Sequence, residues 1–126
     1  MNKNLTIASL LGMLAVVLGA FGAHALRETL SIKALHSFET AVRYQMYHVI
    51  VLLIVNMYHR FSTKQKNRIS YVFFAGILCF SGSIYAIQLL KVPPKTIWFV
   101  TPLGGLFLII GWFLMAFSVK KVINNK

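Results

Sequence analysis

The chain has 126 residues, 58 % of them hydrophobic and 12 % charged, whereas soluble domains carry roughly 25 % charged residues; a soluble domain of ordinary composition is excluded. The net charge of +11 would suit nucleic acid, but the Lys and Arg residues lie outside the long apolar runs or at their ends, so no basic face can follow a phosphate backbone. Nucleic acid is not expected as a partner, and the expected counter-charge is the anionic headgroups of a lipid bilayer.

Four apolar stretches fill most of the chain: Leu5–Leu26, Val42–Tyr58, Ile69–Leu90 and Ile97–Val119. A helix rises about 1.5 Å per residue, so about 20 residues cross the roughly 30 Å hydrocarbon layer. The predicted fold is an all-α integral membrane protein, a compact bundle of four transmembrane helices forming one domain over residues 1–126.

The first stretch follows Lys3 and ends near Ala23-His24-Ala25, a pattern that imitates a signal peptide. Its apolar run from Leu5 to Ala23 is longer than the roughly 7–15 residues of a signal core, so a retained helix is expected. Ala8, Gly12, Ala15, Gly19 and Ala23 recur every three or four positions, a stripe that lets a neighbouring backbone approach closely in lipid.

The second stretch extends backwards, because Leu35, Phe38, Val42, Met46 and Val49 recur at helical spacing and Glu39 precedes Arg43 by four. Residues 31–41 are read as an interfacial amphipathic helix near the outer surface that turns, or runs straight, into the second span. In the third stretch Ala75, Cys79, Gly82, Ser83 and Ala86 form another stripe of small residues. Cys79 is the sole cysteine, which excludes a disulfide within the chain. Lys91-Val92-Pro93-Pro94-Lys95 is a stop signal. Thr101-Pro102 then suits an N-cap followed by proline at the first helical position, so the fourth helix starts at Pro102 or is kinked there.

Four spans put both tails and the 60–68 loop on one side. That side carries Lys3, Arg60, Lys64, Lys66, Arg68, Lys120, Lys121 and Lys126 and no acid; the other carries Arg27, Lys33, Arg43, Lys91 and Lys95 with Glu28 and Glu39. Short Lys/Arg-rich loops stay cytoplasmic, so a multi-pass protein of the inner (plasma) membrane with both termini cytoplasmic is expected.

This threading brings polar side chains to one depth: His24 on the first helix, Gln45 and His48 on the second, Ser81, Ser83 and Tyr85 on the third and Thr101 on the fourth. Glu39 and Arg43 stand at the mouth, each the other's expected partner. The inner halves are nearly all Leu, Ile, Val and Phe, with Asn56 the main exception. Polar groups in a membrane must face protein or water. Those nine residues therefore define a candidate polar pocket under the outer surface.

The motifs Gly19-Ala20-Phe21-Gly22-Ala23-His24, Glu39-Thr40-Ala41-Val42 with Tyr44-Gln45-Met46-Tyr47-His48, Phe80-Ser81-Gly82-Ser83-Ile84-Tyr85 and Thr101-Pro102-Leu103-Gly104-Gly105 with Gly111-Trp112 lie in order along the chain. In these the chain resembles the family called domain of unknown function 423, which includes YgdD-like and YwdK-like inner-membrane proteins and the eukaryotic transmembrane protein 256. The resemblance implies a four-helix inner-membrane protein and brings no activity, substrate, cofactor or catalytic residue.

No paired carboxylates, base-activated nucleophile or Cys/His cluster appears, so no catalytic residue, metal ligand or cofactor is expected. The leading expectation is a non-enzymatic structural or binding protein with an outward-facing pocket, partnered by lipid, by its own copies as a homo-oligomer, or by another membrane protein. One alternative is a small-solute or ion transporter or channel subunit acting as an oligomer, with Gln45, His48, Ser81, Tyr85 and Thr101 lining the path. The other is a haem- or metal-binding protein through His24 and His48.

Overall fold

A computed structural model describes residues 3–126. Its helices are α1 (Lys3–His24), α2 (Ile32–Met57), α3 (Thr63–Leu89) and α4 (Val100–Asn124), with one 3₁₀ turn at Pro94–Thr96. All four are long and apolar enough to span a bilayer.

Local chemistry explains where the helices begin and end. The Ser31 hydroxyl accepts the Ala34 N–H at 3.1 Å and starts α2. Ser62 and Gln65 close a reciprocal capping box at the start of α3, with bonds of 3.2 and 2.9 Å, which satisfies two donors that a helix start leaves orphaned. After α3 the backbone turns at Lys91, whose φ of 58° is left-handed, and the Val92 N–H reaches back to the Ala86 carbonyl at 3.2 Å. Lysine thus fills a position that usually favours glycine, immediately before Pro93 and Pro94 stop the chain.

Residues 31–41 do not form a separate interfacial element. They are the N-cap and first turns of α2, which runs straight on for 26 residues, about 39 Å of helix. The fourth helix also differs from expectation: it starts at Val100, with Phe99 at the cap position and no side-chain cap. Thr101 is inside the first turn, where its hydroxyl bonds to Ser83 instead. Pro102 is tolerated there because a first-turn N–H has no partner within the helix.

The helices pack in chain order, α1 on α2, α2 on α3 and α3 on α4, and among the described residues α1 and α4 form no extended interface. The small stripe of α1 meets α2 within the chain, with Gly12 against Val49 and Gly19 against Val42; Ala23, its expected last member, is exposed, and Gly22 packs on Phe38 in its place. The α3 stripe is used in part: Ser83 bonds to Thr101 of α4 and the Cys79–Phe80 backbone meets Gly104, while a Cβ on Gly82 would meet only Leu78 of its own helix, at 3.8 Å. Outside the stripe, Gly76 packs on Leu108 and Gly111 of α4 on Phe73. The tightest approach is at Gly104, where a Cβ would lie 2.2 Å from the Phe80 backbone nitrogen. Ala8, Leu52, Val55, Phe61, Ile69, Phe73, Ile77 and Leu108 build the apolar core, towards the end that carries the termini. Leu10, Met13 and Val16 of α1 and Ile109, Phe113 and Phe117 of α4 point outward, as expected where the surrounding solvent is acyl chain rather than water.

Gly104→Ala should therefore lower stability in mild detergent by about 1–3 kcal/mol, since backbone cannot give way as a side chain can. Gly82→Ala should change it by less than about 0.5 kcal/mol. Thermal unfolding of the two variants checks this, and equal effects would contradict the described α3–α4 contact.

Candidate functional site

Gln45 is the centre of the polar cluster in the half of the bundle distal to the termini. It is 1 % exposed and uses both ends of its amide between helices. Its Nε2 donates to the Leu11 carbonyl of α1 at 2.7 Å, and its Oε1 accepts the Tyr85 hydroxyl of α3 at 2.6 Å. Three helices are thus joined through one side chain.

One turn further along α2, the His48 ring is held from both sides. The Trp112 indole N–H of α4, which can only donate, reaches His48 Nε2 at 3.0 Å. That bond makes Nε2 the acceptor and places the ring proton on Nδ1, which faces the Tyr44 carbonyl at 2.6 Å. Phe73 and Trp112 pack edge to face at 5.9 Å beside the ring. With both nitrogens engaged, His48 has no free lone pair for a metal ion or haem iron. Its proposed partner His24 lies at the exposed end of α1, and among the described residues no group of three or more His, Cys, Asp and Glu could hold a metal ion.

Ser81 of α3, also buried, donates to the Ala41 carbonyl of α2 at 2.7 Å. Ser83 donates to Phe80 one turn back and accepts the hydroxyl of Thr101. Tyr44 stacks on Phe80 with ring centroids 5.0 Å apart, and Phe38 lies 5.4 Å from Tyr85. No buried side-chain nitrogen or oxygen among the described residues lacks a partner. The cluster is a closed hydrogen-bonded network rather than an open cup.

Of the nine residues singled out from the sequence, Gln45, His48, Ser81, Ser83, Tyr85 and Thr101 have interhelical hydrogen bonds. His24, Glu39 and Arg43 are exposed and outside the network. Glu39 and Arg43 do not pair: the guanidinium donates to Thr40 Oγ1 at 3.2 Å instead. These two residues border a shallow cavity of about 150 Å³ with Gly19, Phe38 and Val42. Trp112 is the partner that sequence reasoning missed, although an indole in an apolar helix has one N–H that must be satisfied.

A second polar knot lies near the termini. Asn4 of α1 donates to Asn56 at 3.1 Å and to Asn67 at 2.9 Å, and Asn56 donates to Ser70 and to the Leu52 carbonyl, each at 2.8 Å. Asn56 in its apolar run was the signal for this knot, because an amide there needs partners on other helices.

Known proteins place this architecture in context. The family described as a protein of unknown function (DUF423) matches residues 18–105. A UPF0382 membrane protein of Staphylococcus saprophyticus is 36 % identical over 122 residues, 97 % of this chain and 100 % of its own length. One from Haemophilus influenzae is 39 % identical over 120 residues, 95 % of either chain, and one from Staphylococcus epidermidis is 37 % identical over 121 residues, 96 % of this chain and 98 % of its own. No solved structure matches.

Gln45→Leu should lower stability by about 1–2 kcal/mol, and Tyr85→Phe by about 0.5–1 kcal/mol. The double variant should cost less than the two single changes added, because both remove the same 2.6 Å bond. Unfolding of all three proteins in detergent completes this cycle, and strict additivity would show that the bond contributes nothing.

Proposed function

The chain belongs to the DUF423 family of multi-pass membrane proteins, and on that premise we propose that it is a non-catalytic structural or binding protein of the inner (plasma) membrane with both termini in the cytoplasm. The observation that carries this reading is the saturation of the distal network. Gln45, His48, Ser81 and Ser83 each bond to partners inside the chain, which supports a structural role for them over activation of a nucleophile. The two carboxylates, Glu28 and Glu39, are exposed and have no ion-pair partner among the described residues.

The same geometry argues against a passage through one bundle. The Gln45–Tyr85 and His48–Trp112 bonds cross between helices, and beyond them the apolar core of Leu52, Val55, Phe73 and Ile77 is closed. Orientation is supported by charge: the end with both termini carries eight of the 13 Lys and Arg residues and neither acid, the bias that keeps loops in the cytoplasm.

In a Cys79→Ser background, a membrane-impermeant maleimide applied to intact cells should label Lys95→Cys and spare Asn125→Cys and Thr63→Cys. Labelling of the latter two without lysis would overturn the orientation. Purified protein should turn over neither phospholipid nor quinone. Turnover that disappears in His48→Ala would overturn the non-catalytic reading.

A further inference from the structure

The end of the molecule that carries the termini holds clefts that the distal network does not explain. One, of about 560 Å³, lies between the α2–α3 turn and the last turns of α4, and its lining includes His59, Arg60, Ser62, Gln65, Lys121 and Asn125. This volume falls within the roughly 300–1,000 Å³ of small-molecule sites. A second cleft shares Ser62, Gln65 and Lys121 with it and adds Lys64 and Arg68. A third shares Lys121 and Asn125 and adds Lys120, Asn124 and Phe117. Lys121 is common to all three. Arg60, Lys64, Arg68, Lys120 and Lys121 therefore line three adjoining clefts, a basic depression centred on Lys121, and neither acidic side chain is near it, since Glu28 and Glu39 belong to the α1–α2 end.

We propose that this depression is a headgroup site for an anionic glycerophospholipid, with Arg60 and Lys121 holding the phosphate. Unpaired cations crowded on one small surface repel each other, and a phosphodiester offers charge-assisted bonds to both guanidinium and ammonium. His59, Asn124 and Asn125 supply uncharged polar groups for the hydroxyls of a headgroup. Phe117 separates a lipid from a soluble phosphate. It is 64 % exposed on the outward face of α4, one helical turn before Lys121, so the third cleft leads from the ammonium groups directly onto the acyl-facing surface. An amphiphile matches both parts of that lining, whereas a free anion matches only one. The proposal deepens the binding reading above by naming the ligand class.

Native mass spectrometry tests it, on full-length protein in a neutral detergent with equal amounts of dioleoyl phosphatidylglycerol and dioleoyl phosphatidylcholine. The protein should retain phosphatidylglycerol preferentially. Arg60→Gln/Lys64→Gln/Lys121→Gln should reduce that preference roughly tenfold, while Lys33→Gln/Lys91→Gln/Lys95→Gln, at the opposite end, should leave it unchanged. Should the first triple variant not fold, Lys121→Gln alone, at an exposed position, should shift the ratio in the same direction by a few-fold. Equal retention of the two lipids would overturn the proposal, as would an equal loss in both triple variants. Displacement of bound lipid by an equimolar concentration of glycerol 3-phosphate would overturn the lipid assignment in favour of a soluble phosphate. Micelles have no sidedness, so this result stands apart from the maleimide labelling that tests orientation.

Discussion

A polar side chain inside a bilayer has no water to fall back on, and an unsatisfied group there costs several kcal/mol. Gln45 shows how this chain meets that constraint. Its amide carries donors and an acceptor, and the donor goes to α1 while the acceptor serves α3. Removing either neighbour would leave a buried amide partly unpaired, so the amide specifies where both neighbours must lie. The hydrophobic effect cannot do this, because lipid is as apolar as the helix surfaces and does not drive them together. Each bond is modest, about 0.6 kcal/mol on average in membrane proteins. Their combined value lies in excluding other arrangements.

Small residues supply the attraction that the polar bonds direct. On α1 the stripe of glycine and alanine lets Val42, Val49 and Phe38 of α2 settle against the backbone. On α4, Gly104 lets the backbones of α3 and α4 almost touch, where dispersion is strongest. Larger groups sit opposite the glycines, as Phe73 does against Gly111, so each gap is filled. The helices at either end, α1 and α4, each offer only part of their circumference to protein, and their exposed Leu, Ile, Val and Phe faces belong to lipid.

The four helices were legible in the sequence because a span needs only length and apolarity, and both are local properties. Charge bias and small-residue stripes were legible for the same reason. The polar residues themselves could be read, since Gln45, His48, Ser81 and Tyr85 interrupt apolar runs, but their bonds are not at one depth: Thr101 and Trp112, the α4 partners of Ser83 and His48, stand about 16 Å apart along the helix. What could not be read was the pairing. Gln45 bonds to the backbone carbonyl of Leu11 and Ser81 to that of Ala41, and every residue has a carbonyl, so no residue type marks these acceptors. His24 was misplaced in depth, since it stands past the Gly22–Phe38 contact, about two turns of α2 from Gln45, and Glu39 was joined to Arg43 when Thr40 was the partner. The α3 stripe was legible only in part: Cys79 and Ser83 lie at the α4 contact and Gly82 does not, while Gly76, outside the stripe, does, because only the azimuth of α4 decides.

Two polar layers at different depths have a consequence that one layer would not. α2 is held at Asn56 and again at Gln45 and His48, and α3 at Asn67 and Ser70 and again at Ser81, Ser83 and Tyr85. α4 is held at Thr101 and Trp112, and α1 at Asn4 and at the Leu11 carbonyl. A rod fixed at one point can still tilt and turn about it, whereas a rod fixed at two points has both its register and its tilt defined. The fixed points on α1 are seven residues apart, about 10 Å of helix, against about 16 Å on α4. Beyond Leu11, α1 is held by packing, with Ala15 buried and Gly19 and Gly22 against Val42 and Phe38 of α2, and His24 lies past the last of these contacts.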